Sequence, residues 1–359
     1  MVTPTPTAPV ALTAPLAEAY AVSTGDLTNG STITNSGIIR AAVTVDTNVP
    51  YTGSTSSNPL SQADGVQTGG IDATSWLVNT GVISATADNP DNAWAISIDG
   101  AMDGLVELHT TGSVSGRIWA GNAGAGTVRV VSGLGSTALW TIETGGTLTY
   151  EVDDSSGVPV FQTIDGNGNQ VFATVDGSAF GASANALGDL AGMGKDVMRS
   201  NFDSFTADNT RAWATLDYSD GEYENNAAIG GEADVEITAL NFGLGKALGN
   251  GWKVAGMLTA HTADYSTTNR FGQKAYDNDD SGLSAAVMGR YNFSGVDIDL
   301  GLQAGMTDLD IANYVNGTTE VTGDTDTTWI SPEASISKAF PVANGWTVRP
   351  SLTYRYATQ

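Results

Sequence analysis

Strict alternation of apolar and polar residues near the C-terminus limits what this chain can fold into. Residues 296–307 have the sequence VDIDLGLQAGMT, with apolar residues at every second position and Asp297, Asp299 and Gln303 among the residues between. Side chains of a strand point alternately to two faces, so the pattern predicts one apolar and one polar face. No run of about 18 apolar residues occurs, which excludes a membrane-spanning helix and leaves a spanning strand open.

Composition narrows the classes of function. The 359 residues carry a net charge of −25, which argues against nucleic acid or an anionic membrane surface as a partner. Cysteine is absent, so disulfides, thiolate zinc sites and cysteine nucleophiles are excluded. The Thr/Pro-rich lead contains no Lys or Arg and is not a signal peptide, so either the protein is cytoplasmic or its true start lies upstream.

The N-terminal half contains a loose repeat. ITNSGIIRA at residues 33–41 and LVNTGVISA at residues 77–85 share Asn, a small residue, Gly and an apolar pair, and TTGSVSGRI at residues 110–118 is a fainter copy. Short strands separated by Gly and Asn at this spacing predict stacked coils of a β-solenoid. A β-sandwich built from similar hairpins remains the alternative.

Residues 127–210 change pattern twice. Longer strands fill residues 127–180, and the sequence DGNGN at residues 165–169 predicts a hairpin turn, with a calcium loop as a minor alternative that lacks the closing Glu. Residues 185–205 then predict a helix, because apolar residues recur at steps of three and four. Its Gly content makes it a poor free-standing helix, so something is expected to enclose it.

Seven alternating strands are expected after residue 210, the last of them over residues 346–359. They are joined by tight turns at 249–251, 294–295 and 342–345 and by long polar loops at 219–232, 266–282 and 308–327. Exchange of short turns and long loops is typical of a transmembrane barrel, and aromatic girdles at both strand ends support it. The aromatic residues beside the short turns are Trp252, Tyr291, Phe293, Phe340 and Trp346, and those beside the long loops are Tyr218, Tyr265 and Trp329.

This order of a solenoid-like region, a helix and antiparallel strands resembles the autotransporters of type V secretion, whose barrel lies in the outer membrane of Gram-negative bacteria. The resemblance implies an all-β fold: a passenger end in residues 1–126, a folding-assistance region in 127–184, a linker helix in 185–210 and a partial barrel in 211–359. The family barrel has twelve strands and this chain supplies about seven, so the chain is expected to be a fragment.

The resemblance also assigns side chains to the barrel lumen. Helix residues expected there are Leu190, Met193, Lys195, Asp196, Val197 and Arg199. Strand residues expected to face them are Arg290, Asp297, Asp299, Gln303, Glu333, Arg349 and Arg355. The implied partners are the outer-membrane bilayer, periplasmic chaperones and the barrel-assembly machinery; residues up to about 184 would be extracellular.

No enzyme motif is apparent in the sequence. His109 and His261 are the only histidines, and no nucleophile elbow, phosphate loop, dinucleotide fingerprint or metal-ligand cluster occurs, so no catalytic residue, cofactor or metal is expected. An adhesin-like passenger moved by its own barrel is the leading hypothesis. Two others are the same architecture with a protease-like head upstream, and a soluble β-rich binding protein.

Overall fold

The computed structural model describes residues 17–44, 61–134, 137–175, 178–206, 209–226, 231–342 and 346–358. The Thr/Pro-rich lead up to residue 16 lies outside the described residues, as do residues 343–345 of one expected turn. Two compact units account for the chain. One contains residues 1–176 with 271–273 and 314–319, and the other contains residues 177–270, 274–313 and 320–359.

The first unit is made of short strands. In chain order they are β1 (Ala17–Ser23), β2 (Thr32–Asn35), β3 (Ile38–Ala42), β4 (Ser61–Thr68), β5 (Trp76–Asn79), β6 (Val82–Thr86), β7 (Ala93–Ile98), β8 (Leu105–His109), β9 (Ser113–Ser115), β10 (Arg117–Ala120), β11 (Thr127–Val131), β12 (Ala138–Glu143), β13 (Thr149–Asp153), β14 (Val160–Ile164) and β15 (Gln170–Thr174), with a 3-10 helix at Pro90–Asn92.

These strands stack into three sheets, in the orders β1-β4-β7-β10-β12-β15-β14, β2-β5-β8-β11-β13 and β3-β6-β9. Every pair is parallel except β12–β15 and β14–β15, which are antiparallel. Parallel stacking of successive turns of the chain is the geometry of a β-solenoid, and hairpins of a sandwich would instead pair antiparallel. The solenoid prediction is therefore confirmed, and the sandwich is excluded for this unit.

A buried apolar column runs through the solenoid. Val66, Ile96, Ile118 and Ile142 lie in register across four parallel strands and belong to one core cluster. Each coil thus covers the apolar residue of the next coil. A single coil could not bury its own apolar residue.

A buried asparagine pair explains the sequence repeat. Asn35 and Asn79 are register partners on β2 and β5, and Asn35 Nδ2 donates to Asn79 Oδ1 at 2.8 Å. Asn79 Nδ2 in turn donates to the carbonyl of Gly81 at 3.0 Å. In the following coil Leu108 occupies the matching position, so the polar ladder ends there. The repeat therefore reflects a need to satisfy buried polar groups.

The DGNGN sequence forms the turn between β14 and β15. Asp165 accepts hydrogen bonds from the backbone N–H groups of Asn167 and Asn169, both at 2.8 Å, and the bond from Asn169 lowers the pKa of the Asp165 carboxyl. The carboxylate is thus used to hold a hairpin turn, as the sequence predicts.

The second unit begins with helix α1 (Ser178–Asn201) and a 3-10 turn at Phe202–Ser204. Its strands are β16 (Arg211–Asn226), β17 (Gly231–Gly249), β18 (Trp252–Asn269), β19 (Lys274–Phe293), β20 (Val296–Val315), β21 (Thr319–Lys338), β22 (Phe340–Pro341), β23 (Thr347–Val348) and β24 (Ser351–Arg355). They form an antiparallel sheet in the order β16-β17-β18-β19-β20-β21-β24, with β22 and β23 paired separately. The helix begins seven residues before the predicted start at 185.

The expected long loops are wrong. Residues 219–226, 231–232, 266–269, 274–282, 308–315 and 319–327 continue the strands, and a tight turn at Asn316 and Gly317, both with positive φ, joins β20 to β21. Alternation persists there with its polarity reversed: on β17, Glu232, Asp234 and Glu236 are exposed while Ala233 and Val235 are buried. These stretches resemble loops in the sequence because their total content of polar residues is high, although those residues lie mainly on one face.

The tight turns at the opposite end are confirmed where they are described. Asn250 has a φ of 51° between two glycines that also have positive φ, and Ser294 (53°) precedes Gly295 (78°). Positive φ at both central residues is what a two-residue hairpin of type I′ requires. The single expected strand over 346–359 is broken, because Pro350 offers no N–H to the ladder and β24 starts after it.

Replacing Asn79 by Ala tests the asparagine pair. We expect the free energy of unfolding to fall by about 1–3 kcal/mol, because the buried amide of Asn35 loses one of its two acceptors and keeps only the carbonyl of Val82. Urea denaturation of the protein followed by far-UV circular dichroism measures this. Asn167→Ala, at an exposed turn position, is the matched control. Equal effects of the two substitutions would show that the ladder is not a stabilising contact.

Candidate functional site

Helix α1 lies against one face of the sheet, in contact with β17, β18 and β19, and this face is called the inner face here. Two apolar clusters hold it. Leu190 packs in a buried cluster with Ile237, Tyr265 and Trp329, and Met198 packs in a second cluster with Phe202, Met257 and Met288 among its members. Between these clusters the contacts are charged, which is unusual for a buried surface.

Glu333 of β21 gathers three cations. Its side chain is 1% exposed and pairs with Arg199 Nη2, with Arg355 Nε at 2.7 Å and with Lys195 Nζ at 3.9 Å. Lys195 is itself fully buried and donates to the carbonyl and the hydroxyl of Ser331, at 2.9 and 2.7 Å. Buried charges are tolerated only when paired and hydrogen-bonded, and both conditions hold here.

Asp299 of β20 joins the helix to a second strand. Its carboxylate accepts from Arg290 Nε at 2.6 Å and Arg290 Nη2 at 3.0 Å, and from Arg199 Nε at 3.2 Å. Arg290 is 2% exposed and also lies 4.8 Å from the ring of Phe202. One arginine of the helix therefore bridges the buried carboxylates of two different strands, β20 and β21.

At the C-terminal end of the helix the charges are reversed: the acidic residue follows the helix and its cationic partners belong to the strand region. Asp203, in the 3-10 turn, accepts from Arg290 Nη1 at 3.1 Å and Arg349 Nη1 at 2.7 Å, and Lys253 Nζ donates to the carbonyl of Phe202 at 2.5 Å. Cations of the sheet thus meet the negative end of the helix, where the dipole favours them. Positions of α1 both along and around its axis are fixed by these contacts.

The inner face contains most of the strand residues assigned to it from the sequence. Arg290, Asp297, Asp299, Gln303 and Glu333 are buried there, Arg355 is half-buried and Arg349 is exposed. Three participants were not anticipated: Asp203, Lys253 and Ser331. The alternation of β18 could have identified Lys253, because it shares the parity of buried Ala255.

Helix residues divide in a similar way. Lys195 is buried and Met193 and Val197 are partly buried against the apolar clusters, whereas the Asp196 side chain is 60% exposed. Asp196 pairs with Arg199 one turn along and lies 3.8 Å from Arg355. Arg199 pairs with three acidic residues, Asp196, Asp299 and Glu333.

The opposite, outer face is apolar in its middle. Leu216, Phe242, Leu258, Leu283, Val287, Leu300, Met306 and Leu352 are exposed there, each by more than half of its surface. Beyond this apolar band, a row of carboxylates lies in register across five strands: Asp220, Glu236, Asp264, Asp279 and Asp310. Lys246 and Lys338 lie on the outer face near the other end of the band.

The prediction of aromatic girdles is wrong for two residues. Trp252, Phe293, Phe340, Trp346 and Tyr218 are exposed and Tyr291 is half-buried, but Tyr265 and Trp329 are buried on the inner face. Both have the strand parity of inner residues, and their rings fill the space beside Leu190. Nearness to a strand end does not determine which face a ring occupies.

Comparison with known proteins relates the second unit to one family. Residues 212–359 match the family described as "Autotransporter beta-domain". This part of the chain is similar to autotransporter β-domains, and the second unit is called the β-domain from here on. The antiparallel sheet of β16–β21 and β24 lies within the matched segment apart from its first residue.

Two solved structures resemble the chain. The β-domain of the Bordetella autotransporter BrkA is 21% identical, with a TM-score of 0.35, over 42% of this chain and 58% of that one. The translocator domain of the autotransporter NalP from Neisseria meningitidis is 14% identical, with a TM-score of 0.38, over 49% of this chain and 68% of that one. No curated protein matches the sequence.

In the described ranges between residues 17 and 358, no helix is both long and apolar enough to cross a membrane. No group of three or more His, Asp or Glu side chains there is arranged to hold a metal ion.

Glu333→Gln tests the charged contacts of the β-domain. Removing the carboxylate leaves Lys195, Arg199 and Arg355 with fewer anionic partners, so we expect the free energy of unfolding to fall by about 3–5 kcal/mol. Denaturant unfolding in detergent, followed by tryptophan fluorescence, measures the change. The control is Glu320→Gln, which removes an exposed carboxylate from the same strand and should cost less than about 0.5 kcal/mol. An equal loss in both variants would contradict a stabilising role for the buried pairs.

Proposed function

We propose that the β-domain carries the N-terminal solenoid across the outer membrane and then anchors it at the cell surface. The observation that carries this proposal is the segregation of the sheet into an apolar outer face and a charged inner face covered by α1. Such segregation is what a barrel strand needs when lipid lies on one side and an aqueous or protein-filled interior on the other.

The height of the apolar band fits a membrane. On β20 the outward positions from Val296 to Met306 are apolar, a span of eleven residues, and Asp308 is the next outward residue. A tilted spanning strand needs about 9–11 residues. The length of the apolar band therefore matches the thickness of the hydrocarbon layer. The strand extensions beyond the band would lie outside the lipid.

The ends of the band suggest its orientation. Short turns at Asn250 and Ser294 lie at one end, with Lys246 and Lys338 near them, and the acidic extensions lie at the other end. Short turns are typical of the periplasmic side. The acidic extensions would then face the outside of the cell.

Helix α1 would link the two parts of the protein through the barrel lumen. Its paired cations and carboxylates form a polar contact surface that suits an interior, and they would hold the chain in place after translocation. We assign residues 127–184 to the folding-assistance region and residues up to about 184 to the extracellular side. Periplasmic chaperones and the barrel-assembly machinery would be the partners before insertion.

The solenoid is proposed to act as an adhesin-like surface protein. Its coils place regular rows of side chains on exposed sheet faces, such as Glu107, Arg129 and Glu151, which lie in register and form ion pairs. Extended repeat surfaces of this kind are commonly used for binding. Such rows would give the solenoid an extended recognition surface.

Labelling of intact cells tests surface display, and the lack of native cysteine makes it simple. Cysteine is introduced at exposed Ser155 of the solenoid in one variant, and at exposed Ser294 of a short turn in another. We expect a membrane-impermeant maleimide to label Ser155→Cys on intact cells and Ser294→Cys only after the outer membrane is permeabilised. Labelling of neither variant before lysis would overturn surface display, and the opposite order would overturn the orientation.

A further inference from the structure

A groove interrupts the apolar outer face of the β-domain. It has a volume of about 720 Å³ and crosses four strands, β17 to β20. Apolar side chains line it, among them Leu244, Val254, Val287 and Leu302. A cavity of this size is in the range that binds a small ligand, and its walls offer almost only apolar contacts.

Two glycines form its floor. Gly256 lies in the register row of Leu244, Val287 and Leu302, and Gly289 lies in the adjacent row. Neither glycine has a positive φ. A Cβ atom would meet nothing closer than 3.8 Å at Gly256 and 3.9 Å at Gly289. Backbone geometry therefore does not require glycine at these positions, and what the two residues provide is empty space on the outer face.

A lysine lies at the rim of the groove. Lys246 shares the register row of Val254 and Gly289, three residues before the short turn that begins at Gly249. Within the residues that the structure describes, its ammonium group makes no ion pair, in contrast to Lys195 and Arg290 on the inner face. A lysine near the edge of a hydrocarbon layer extends its charge toward the headgroups.

Aromatic rings mark the level of those headgroups. Trp252 and Tyr291 pair in the next row toward the short turns, with ring centroids 4.9 Å apart. Trp and Tyr prefer the membrane–water interface. Lys246 and these two rings thus lie at the depth where the phosphates of the periplasmic leaflet would be.

We propose that this groove binds one glycerophospholipid of the periplasmic leaflet. One acyl chain lies over Gly256 and Gly289, and the phosphate accepts a charge-assisted hydrogen bond from Lys246. The apolar lining fits an acyl chain, and the single unpaired cation at its rim fits the phosphate. This inference rests on the proposed function, because it requires the apolar band to lie in a bilayer.

Native mass spectrometry of the delipidated protein in detergent, titrated with palmitoyl-oleoyl phosphatidylglycerol, tests the site. The double variant Gly256→Leu/Gly289→Leu is designed to fill the groove, and a Cβ atom at either position would meet nothing closer than 3.8 Å. We expect wild-type protein to retain one lipid more tightly than all others and the double variant to bind it at least about tenfold more weakly. Ala285→Leu/Ala304→Leu is the matched control, since these register partners on the same face do not line the groove.

A second pair of variants tests the headgroup contact. Lys246→Gln should weaken binding of the same lipid about fivefold, and Lys338→Gln, at the other outward lysine, should leave it unchanged. Equal affinity in wild type and groove-filled protein would overturn the site and leave only unspecific lipid contact. A mass peak of two protein copies that the groove-filled variant loses would overturn it in favour of a second copy as the occupant.

Flotation with vesicles of the same lipid separates this inference from the proposed function. Wild-type protein and both leucine variants are expected to insert and float equally. Flotation without a difference in lipid affinity would count against the groove alone. Failure of the wild-type protein to insert would count against the membrane role as well.

Discussion

Everything in the β-domain depends on which material covers the apolar outer face of its sheet. Side chains such as Leu258, Leu283 and Leu300 are exposed along neighbouring strands, and together they form a band too continuous for a surface in water. Hydrocarbon as the covering material explains why the band ends abruptly at Asp308 and why aromatic rings and lysines border it. The inner face then has to accept the polar half of every strand.

On the inner face, the polar side chains of the strands are stabilised by pairing of opposite charges. Glu333 and Asp299 would be costly to bury alone, and Lys195 and Arg199 supply their counter-charges from the helix. Removal of Glu333 would leave Lys195 buried with fewer anionic partners, so these contacts both stabilise the domain and specify one position of α1. In the proposed function, these contacts would hold α1 in place after the N-terminal part of the chain has crossed the membrane.

Alternation in the sequence was sufficient to predict the strands, their apolar face and the buried positions of Asp297, Asp299 and Gln303. The tight turns at Asn250, Ser294 and Asn316 follow from local backbone requirements. The acidic residues on both sides of Asn316 and Gly317 make that turn resemble part of a polar loop in the sequence. The strand extensions were missed because polarity reverses between faces beyond the band. Tyr265, Trp329 and Asp203 depend on contacts with α1, which local pattern does not specify. In the solenoid, the Asn-x-Gly repeat predicts the stacking because its asparagines contact each other across neighbouring coils.

Oxygen accessibility along β20 tests the central claim most directly. Spin labels attached one at a time to cysteines at residues 298 to 303, in protein reconstituted into bilayers, report whether each position meets lipid. The account predicts high accessibility to oxygen and low accessibility to a water-soluble nickel reagent at Ile298, Leu300 and Leu302, and low oxygen accessibility at Asp299 and Gln303. Uniform values along the strand, or nickel accessibility at the leucines, would show that hydrocarbon does not cover this face.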